Sequence, residues 1–281
     1  MLDRLTPNKL ILIASAAALV LAGIGAVLLR PTLPPGDGVV EGWAVLAEKD
    51  DYTGLGTSLM VDYINIEQIR QVLEESGWEG DHIREEREFD LETLQAGMDW
   101  LAANADGDDV VVLYITGHGT YLGKHLNWYD FGAEYWRQIP SSRRLLIIDA
   151  CNAAKYTRVV RRDRIPYLAI ASVDRDEYGW CGLENEGLPI IGGVFTHYFA
   201  TAFGDPAADT DEDGYISAQE AAASAEANQR VYMHEYVFAD ERFLEDYHDL
   251  GSTPEEDPEY PHVVIDDSVG EPLYLALDAY R

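Results

Sequence analysis

The stretch "RRLLIIDACNAA", residues 143–154, decides the fold reading. Leu145 to Ile148 is a short apolar run with two isoleucines, the pattern of a buried strand. It stops at Asp149, Ala150 and Cys151, and the small residues Asn152, Ala153 and Ala154 follow. A strand that delivers a carboxylate and a thiol to its exit, and then leaves room around them, points to a site at that exit.

Outward from this strand the chain alternates strand and helix. "VVVLYITGHG" (110–119) is a second continuous apolar strand, ending at His118 between Gly117 and Gly119. "GWAVLAE" (42–48) and "YLAIASVD" (167–174) read as further strands, and "HIREERE" (82–88) as a short edge strand. Helical spacing of Leu59, Tyr63, Ile66, Ile69, Val72 and Leu73 predicts a helix within 58–78, closed by Gly77. Asp90 predicts the cap of a second helix, with Leu91, Leu94, Met98 and Leu101 on one face. "GVFTHYFATAF" (193–203) is a third helix. An alanine-rich helix follows "DTDEDGYISAQE" (209–220) and runs through about Tyr236, and a loop and a last strand end the chain. This order predicts an α/β fold, a mostly parallel sheet with helices on both faces. In such a sheet ligands bind beyond the carboxyl ends of the strands, where His118 and Cys151 both emerge.

An imidazole beside a thiol can take its proton, and the thiolate is the nucleophile. Backbone amides of Gly119 and Cys151 are natural donors to the resulting oxyanion. Taken singly, a buried structural cysteine and a loop histidine are the plainer readings; together, each after a core-type strand, they favour catalysis. "VVLYITGHG" and "LLIIDAC", in this order and separation, resemble the His-Gly and Ala-Cys motifs of the legumain–caspase clan of cysteine peptidases. "GWAVLAEKDDY", "IASVDRDEYGW" and "GGVFTHYFATAF" resemble its flanking elements. "DTDEDGYISAQEA" and the C-terminal strand resemble prokaryotic legumain-like members.

The resemblance implies a caspase-like three-layer sandwich over residues 39–281 and a protein or peptide substrate. It makes His118 the general base and Cys151 the nucleophile of a dyad that needs no third carboxylate, with Gly119 supplying an oxyanion amide. It also places Asp149, two before the cysteine, in the primary specificity pocket. The clan's Asn- and Asp-cutting members use an arginine in the loop after the first strand, and "KDDYTGLGTSL" (49–59) has none. A carboxylate at Asp149, with Ser172 and Asp174 beside it, suits a basic substrate side chain, as in metacaspases. Hydrogen bonding of Asp149 to nearby backbone is the alternative, as is a legumain-like pocket for asparagine with hydrolysis or transpeptidation.

"DTDEDGYISAQE" (209–220) fits a calcium loop without a gap: Asp209, Asp211, Asp213, the turn at Gly214, then Glu220. Tyr215 would lend its carbonyl and Ser217 a side-chain or water-mediated contact. The ion would staple the domain; an acidic loop capping the next helix is the alternative, and with it a non-catalytic, calcium-stabilised surface module. No organic cofactor is implied.

The formal net charge is −31, from 20 Lys+Arg against 51 Asp+Glu. This excludes nucleic acid as a partner and suits a surface for high salt, where self-repulsion is screened. Residues 10–29, "LILIASAAALVLAGIGAVLL", carry no charge and have the length of a membrane-spanning helix. A cleavable signal peptide is the alternative, but "AVLLRPTLPP" lacks a good cleavage site. The organisation expected is a cytoplasmic stub (1–9), a single span (10–29), a Pro/Gly linker (30–38) and an extracytoplasmic domain, oriented by Arg4 and Lys9. The opposite, cytoplasmic-facing topology is the alternative. The two cysteines, Cys151 and Cys181, are not expected to form a bridge. Oligomeric state is not legible.

Overall fold

The computed structural model describes residues 35–281, apart from 56, 163–164 and 249–256. The folded unit runs Pro34–Arg281. The expected membrane span at 10–29 and most of the linker lie outside the described residues, among which no helix is long and apolar enough to cross a membrane.

Strand β1 (Gly42–Glu48), helix α1 (Ile64–Glu75), strand β2 (Ile83–Arg87), helix α2 (Leu91–Asn104) and strand β3 (Val110–Thr116) open the domain. Helix α3 (Trp128–Trp136), strand β4 (Arg143–Asp149), helix α4 (Ala153–Thr157) and strand β5 (Leu168–Ala171) follow. Two-residue strands β6 (Cys181–Gly182) and β7 (Gly192–Gly193) form a small separate hairpin. Helices α5 (Val194–Ala202), α6 (Ala218–Tyr232) and α7 (Glu241–His248) and strand β8 (Val264–Asp267) complete the domain. The main sheet has the order β2-β1-β3-β4-β5-β8. Every pairing is parallel except β5 with β8.

Alternation along the strands splits the core into two layers. Val111, Leu113 and Ile115 of β3 face one side, packed with Leu94, Met98, Trp128 and Trp136 from α2 and α3. Val110, Val112 and Tyr114 face the other, with Ile66, Ile69, Phe195, Phe199 and the alanines of α6. The layers match the expected three-layer, caspase-like α/β architecture.

Three local departures from the sequence reading have physical causes. Helix α1 starts at Ile64, not near Leu59, because Met60, Asp62 and Tyr63 adopt left-handed backbone. Asp50 fixes that turn by accepting from the amides of Val61 (3.1 Å) and Asp62 (3.0 Å). Helix α3 is absent from the sequence reading because its exposed face mixes Tyr129 with Asp130 and Glu134, so aromatics on both faces blur the helical period. The alanine-rich α-helix ends at Tyr232, and a wider helical turn, Met233–Val237, carries the chain on.

Glu48, at the end of β1, joins the sheet to α1. Tyr63, at the helix start, supplies no capping side chain, so the buried Glu48 carboxylate accepts from the Ile66 amide (3.0 Å) and the Asn65 side chain instead. Burial outweighs these bonds and raises its pKa from 4.5 to about 7, with Asp50 and Asp149 adding to the effect. The folded state therefore holds this proton more tightly than the unfolded chain. The stability it contributes is fully present below pH 4.5 and lost as pH rises through about 7. Denaturant titrations across this window should show a loss on the order of 3 kcal/mol, at ~1.36 kcal/mol per pH unit. Glu48→Gln should abolish that slope.

Candidate active site

Strands β3 and β4 pair in parallel, with Val110 opposite Arg143 and Thr116 opposite Asp149. The Gly117 amide reaches the Asp149 carbonyl (3.4 Å), extending the ladder one step. His118 and Cys151 each lie two residues beyond the last registered pair, so the register places them at the same height. Both line one cavity of about 250 Å³. Gly119 packs so closely on this exit that a Cβ there would lie 2.0 Å from the Cys151 carbonyl oxygen. The Gly119 carbonyl in turn accepts from the Tyr156 hydroxyl.

The imidazole is oriented by the loop after β1. His118 Nε2 lies 2.8 Å from the Thr57 carbonyl oxygen. A carbonyl can only accept, so Nε2 carries a proton and Nδ1 is the basic atom of the neutral ring. The Tyr52 hydroxyl accepts from the His118 amide (2.6 Å), and the two rings pack with centroids 4.5 Å apart. Neither Thr57 nor Tyr52 was legible as a site residue: the first acts through its backbone, which any residue type supplies, and the second sits in a polar loop with no motif.

Cys151 is half-buried in the cavity wall, and burial pushes its thiol pKa up to about 11. The thiol donates to the Gly179 carbonyl, at 3.9 Å. Asn152, next in the chain, is left-handed (φ 59°) and starts α4. Cys181 is also a free thiol and also lines the cavity.

Asp149 is buried on the cavity wall. Its Oδ2 accepts from the Thr196 hydroxyl (2.6 Å) and amide (3.2 Å), in the first turn of α5. Since Thr196 Oγ1 gives its proton to Asp149, the Tyr114 hydroxyl, 2.6 Å away, donates to Thr196. Burial raises the Asp149 pKa above the ordinary carboxylate value despite the bonds from Thr196 and Ser172. Asp149 thus both bonds nearby backbone and faces the cavity. Ser172 is fully buried behind it, against the Ala150 amide (3.3 Å). Asp174 does not line the cavity; its carboxylate accepts from the Arg175 amide (2.6 Å) in the following turn. The second acidic lining residue is Glu186, which carried no sequence signal. Among the described residues, His118 is the one basic side chain in the lining.

The loop 209–220 folds around its carboxylates. Asp209, Asp211 and Glu220 each offer an oxygen within 4.8 Å of the others. Gly214 takes the left-handed turn (φ 93°), and its amide donates to Asp209 Oδ2 (3.0 Å). The other Asp209 oxygen is buried with no hydrogen-bond partner, which fits a cation ligand. Asp213 accepts from the Tyr215 amide (2.8 Å) and from Tyr274. Glu220 accepts from Thr210 and Ser217; these donors outweigh a burial penalty and hold its pKa at about 2. Ser217 caps α6 in a reciprocal box with Glu220.

A family model for the caspase domain matches residues 41–234, well over half of the chain. The chain belongs to the caspase-domain family. Its members are cysteine peptidases, so a cysteine peptidase-type function acting on protein or peptide substrates follows for this caspase domain. The match spans both strand exits, from β1 to the end of α6. No curated protein matches the chain.

Tyr52→Phe should orphan the His118 amide in this caspase domain. The expected result is a melting temperature lowered by the equivalent of about 1–3 kcal/mol, with turnover reduced while Cys151 stays present and unmodified. Calorimetry with a peptide-cleavage assay checks both.

Proposed function

We propose that this caspase domain is an endopeptidase that cleaves after basic residues in the manner of metacaspases. Cys151 is the nucleophile and His118 Nδ1 the base that takes its proton; the thiolate attacks the scissile carbonyl to give a tetrahedral oxyanion. His118 returns the proton to the amine nitrogen as the C–N bond breaks and the thioester forms, and water then resolves the acyl-enzyme. The Gly119 and Cys151 amides are the proposed oxyanion donors. The observation that carries the specificity is the buried Asp149 carboxylate on the cavity wall, with Glu186 also in a lining that has no Lys or Arg among the described residues. A guanidinium there would meet a desolvated carboxylate, where charge-assisted bonds are strong.

Paired fluorogenic peptides differing only in Arg, Asn or Asp at the cleaved position test this. Arg should be fastest, and Cys151→Ala and His118→Ala should abolish turnover of all three. Asp149→Asn should weaken the Arg peptide by roughly 1.5–3 kcal/mol. Because burial raises the Asp149 pKa, acidification should protonate it before an ordinary carboxylate, and KM for the Arg peptide should rise on the acid side. The raised pKa also favours a second reading, a legumain-like pocket in which protonated or ionised Asp149 bonds an asparagine amide. Faster cleavage after Asn than after Arg would select it.

The 209–220 loop is proposed to bind calcium, held by Asp209, Asp211, Asp213, Glu220 and the Tyr215 carbonyl, with Ser217 at the helix cap. The ion would supply charge neutralisation that ties α6 to the loop before it. Chelation should lower the melting temperature by the equivalent of about 2.7 kcal/mol relative to calcium at a hundred times its dissociation constant. Asp209→Ala with Glu220→Ala should remove the response. The uncharged segment 10–29 supports a single-pass membrane anchor with this domain outside the cell, and the acidic surface supports a saline setting.

A further inference from the structure

The loop between β5 and β6 touches the nucleophile from two directions. Its Gly179 carbonyl faces the Cys151 sulfur (3.9 Å). Its Glu177 carbonyl accepts both from the Asn152 amide (2.7 Å) and from the Asn152 side chain (3.1 Å). Asn152 is the left-handed residue directly after Cys151, a conformation asparagine tolerates better than other side chains and one that its neighbours here constrain. One carbonyl with two donors from the same residue is such a constraint.

This loop is held in turn by the segment before β8. The Glu177 side chain is buried, and its Oε2 accepts from the Asp174 amide (3.0 Å) and the His262 amide (2.8 Å). Its Oε1 pairs with His262 Nδ1 at 2.6 Å. The next residue, Tyr178, exchanges two backbone bonds with the Tyr260 hydroxyl (2.8 and 3.0 Å). Around the His262 ring stand Glu177, Asp257 (3.8 Å from Nε2) and, from α6, Glu226, itself paired with Arg230. Burial disfavours the charged ring, but the bond to Glu177 and these carboxylates outweigh it and raise the His262 pKa.

We infer that Glu177 and His262 are a positioning couple for the nucleophile: by anchoring the Asp174–Gly179 loop they hold Asn152 left-handed and keep the Gly179 carbonyl on the Cys151 sulfur. Neither residue lines the cavity, so both act through the backbone. The inference rests on Cys151 being the nucleophile, and its test reads the thiol independently of peptide cleavage.

The experiment compares the wild type with His262→Phe, which removes the ring donor, and His262→Gln, which restores an N–H at similar reach. Two rates are read: peptide turnover, and carboxamidomethylation of Cys151 by iodoacetamide, with Cys181 in the same digest as reference. His262→Phe should lower kcat about 10- to 100-fold with KM little changed, the penalty of a misplaced reacting group. It should speed alkylation of Cys151 about fivefold, as expected when a hydrogen bond that closes a loop is lost, and leave Cys181 unchanged. His262→Gln should return both rates toward wild type. Equal acceleration at both cysteines would mean general loosening and would overturn the inference, as would an unchanged Cys151 rate. If no protein cleaves peptide but Cys151 alone responds, the positioning couple stands and the peptidase reading fails. Should His262→Phe not fold, Glu177→Gln, which keeps the shape and one acceptor oxygen, carries the same measurements.

Discussion

The parallel register of β3 against β4 is the constraint on which the site depends. Thr116 opposite Asp149 leaves His118 and Cys151 equally far beyond the sheet. A slip of one residue would turn every side chain of β4 to the opposite face, and the two core layers forbid it, since Leu145 and Ile147 belong to one and Leu146 and Ile148 to the other. Core packing therefore sets where the imidazole and the thiol stand. Gly119 has the same logic at the exit: only a residue without Cβ lets the two chains approach as they do.

Around this fixed pair the surrounding groups are held under tension. Asp62, Tyr63 and Asn152 are left-handed without being glycine, and each sits beside a carboxylate or carbonyl that takes its amide or a neighbour's. Asp50 fixes the turn that follows the Thr57 contact, and Glu177 fixes the turn behind the thiol. Asp149 and Glu48 are carboxylates kept in low-dielectric surroundings, linked through Asn65, which donates to Glu48 while its oxygen accepts from the Gly193 amide (2.7 Å) beside Asp149. Such desolvated carboxylates are costly to the fold when ionised, and burial raises the pKa of both.

Much of the architecture was legible because it rests on periodicity. Continuous apolar runs marked β3 and β4 as buried strands, and Asp90 announced α2, where it makes a reciprocal cap with Thr93. Pattern failed where side chains from elsewhere decide the backbone. Nothing local in "SLMVDY" says that Asp50 will take two of its amides and delay the helix to Ile64. In "WYDFGAEYW", Trp128 and Trp136 are eight residues apart, on one helical face, and both fully buried, a signal that the surrounding aromatics obscured. Asp174 appeared close to the pocket in sequence, yet the turn after β5 carries it away from the lining.

The sequence by itself determined the fold class, the two strand exits and the identity of the groups delivered there, because strand termination and residue chemistry are local properties. It also determined the carboxylate two positions before the thiol and the spacing of the 209–220 loop. Only the tertiary structure decided which imidazole nitrogen carries the proton, through the Thr57 carbonyl; which carboxylates face the cavity, through the placement of Asp149 and Glu186; and what the turn after Cys151 bonds to, through Glu177, itself paired with His262 85 residues away. These depend on backbone groups and long-range contacts, which residue type and spacing along a chain do not encode.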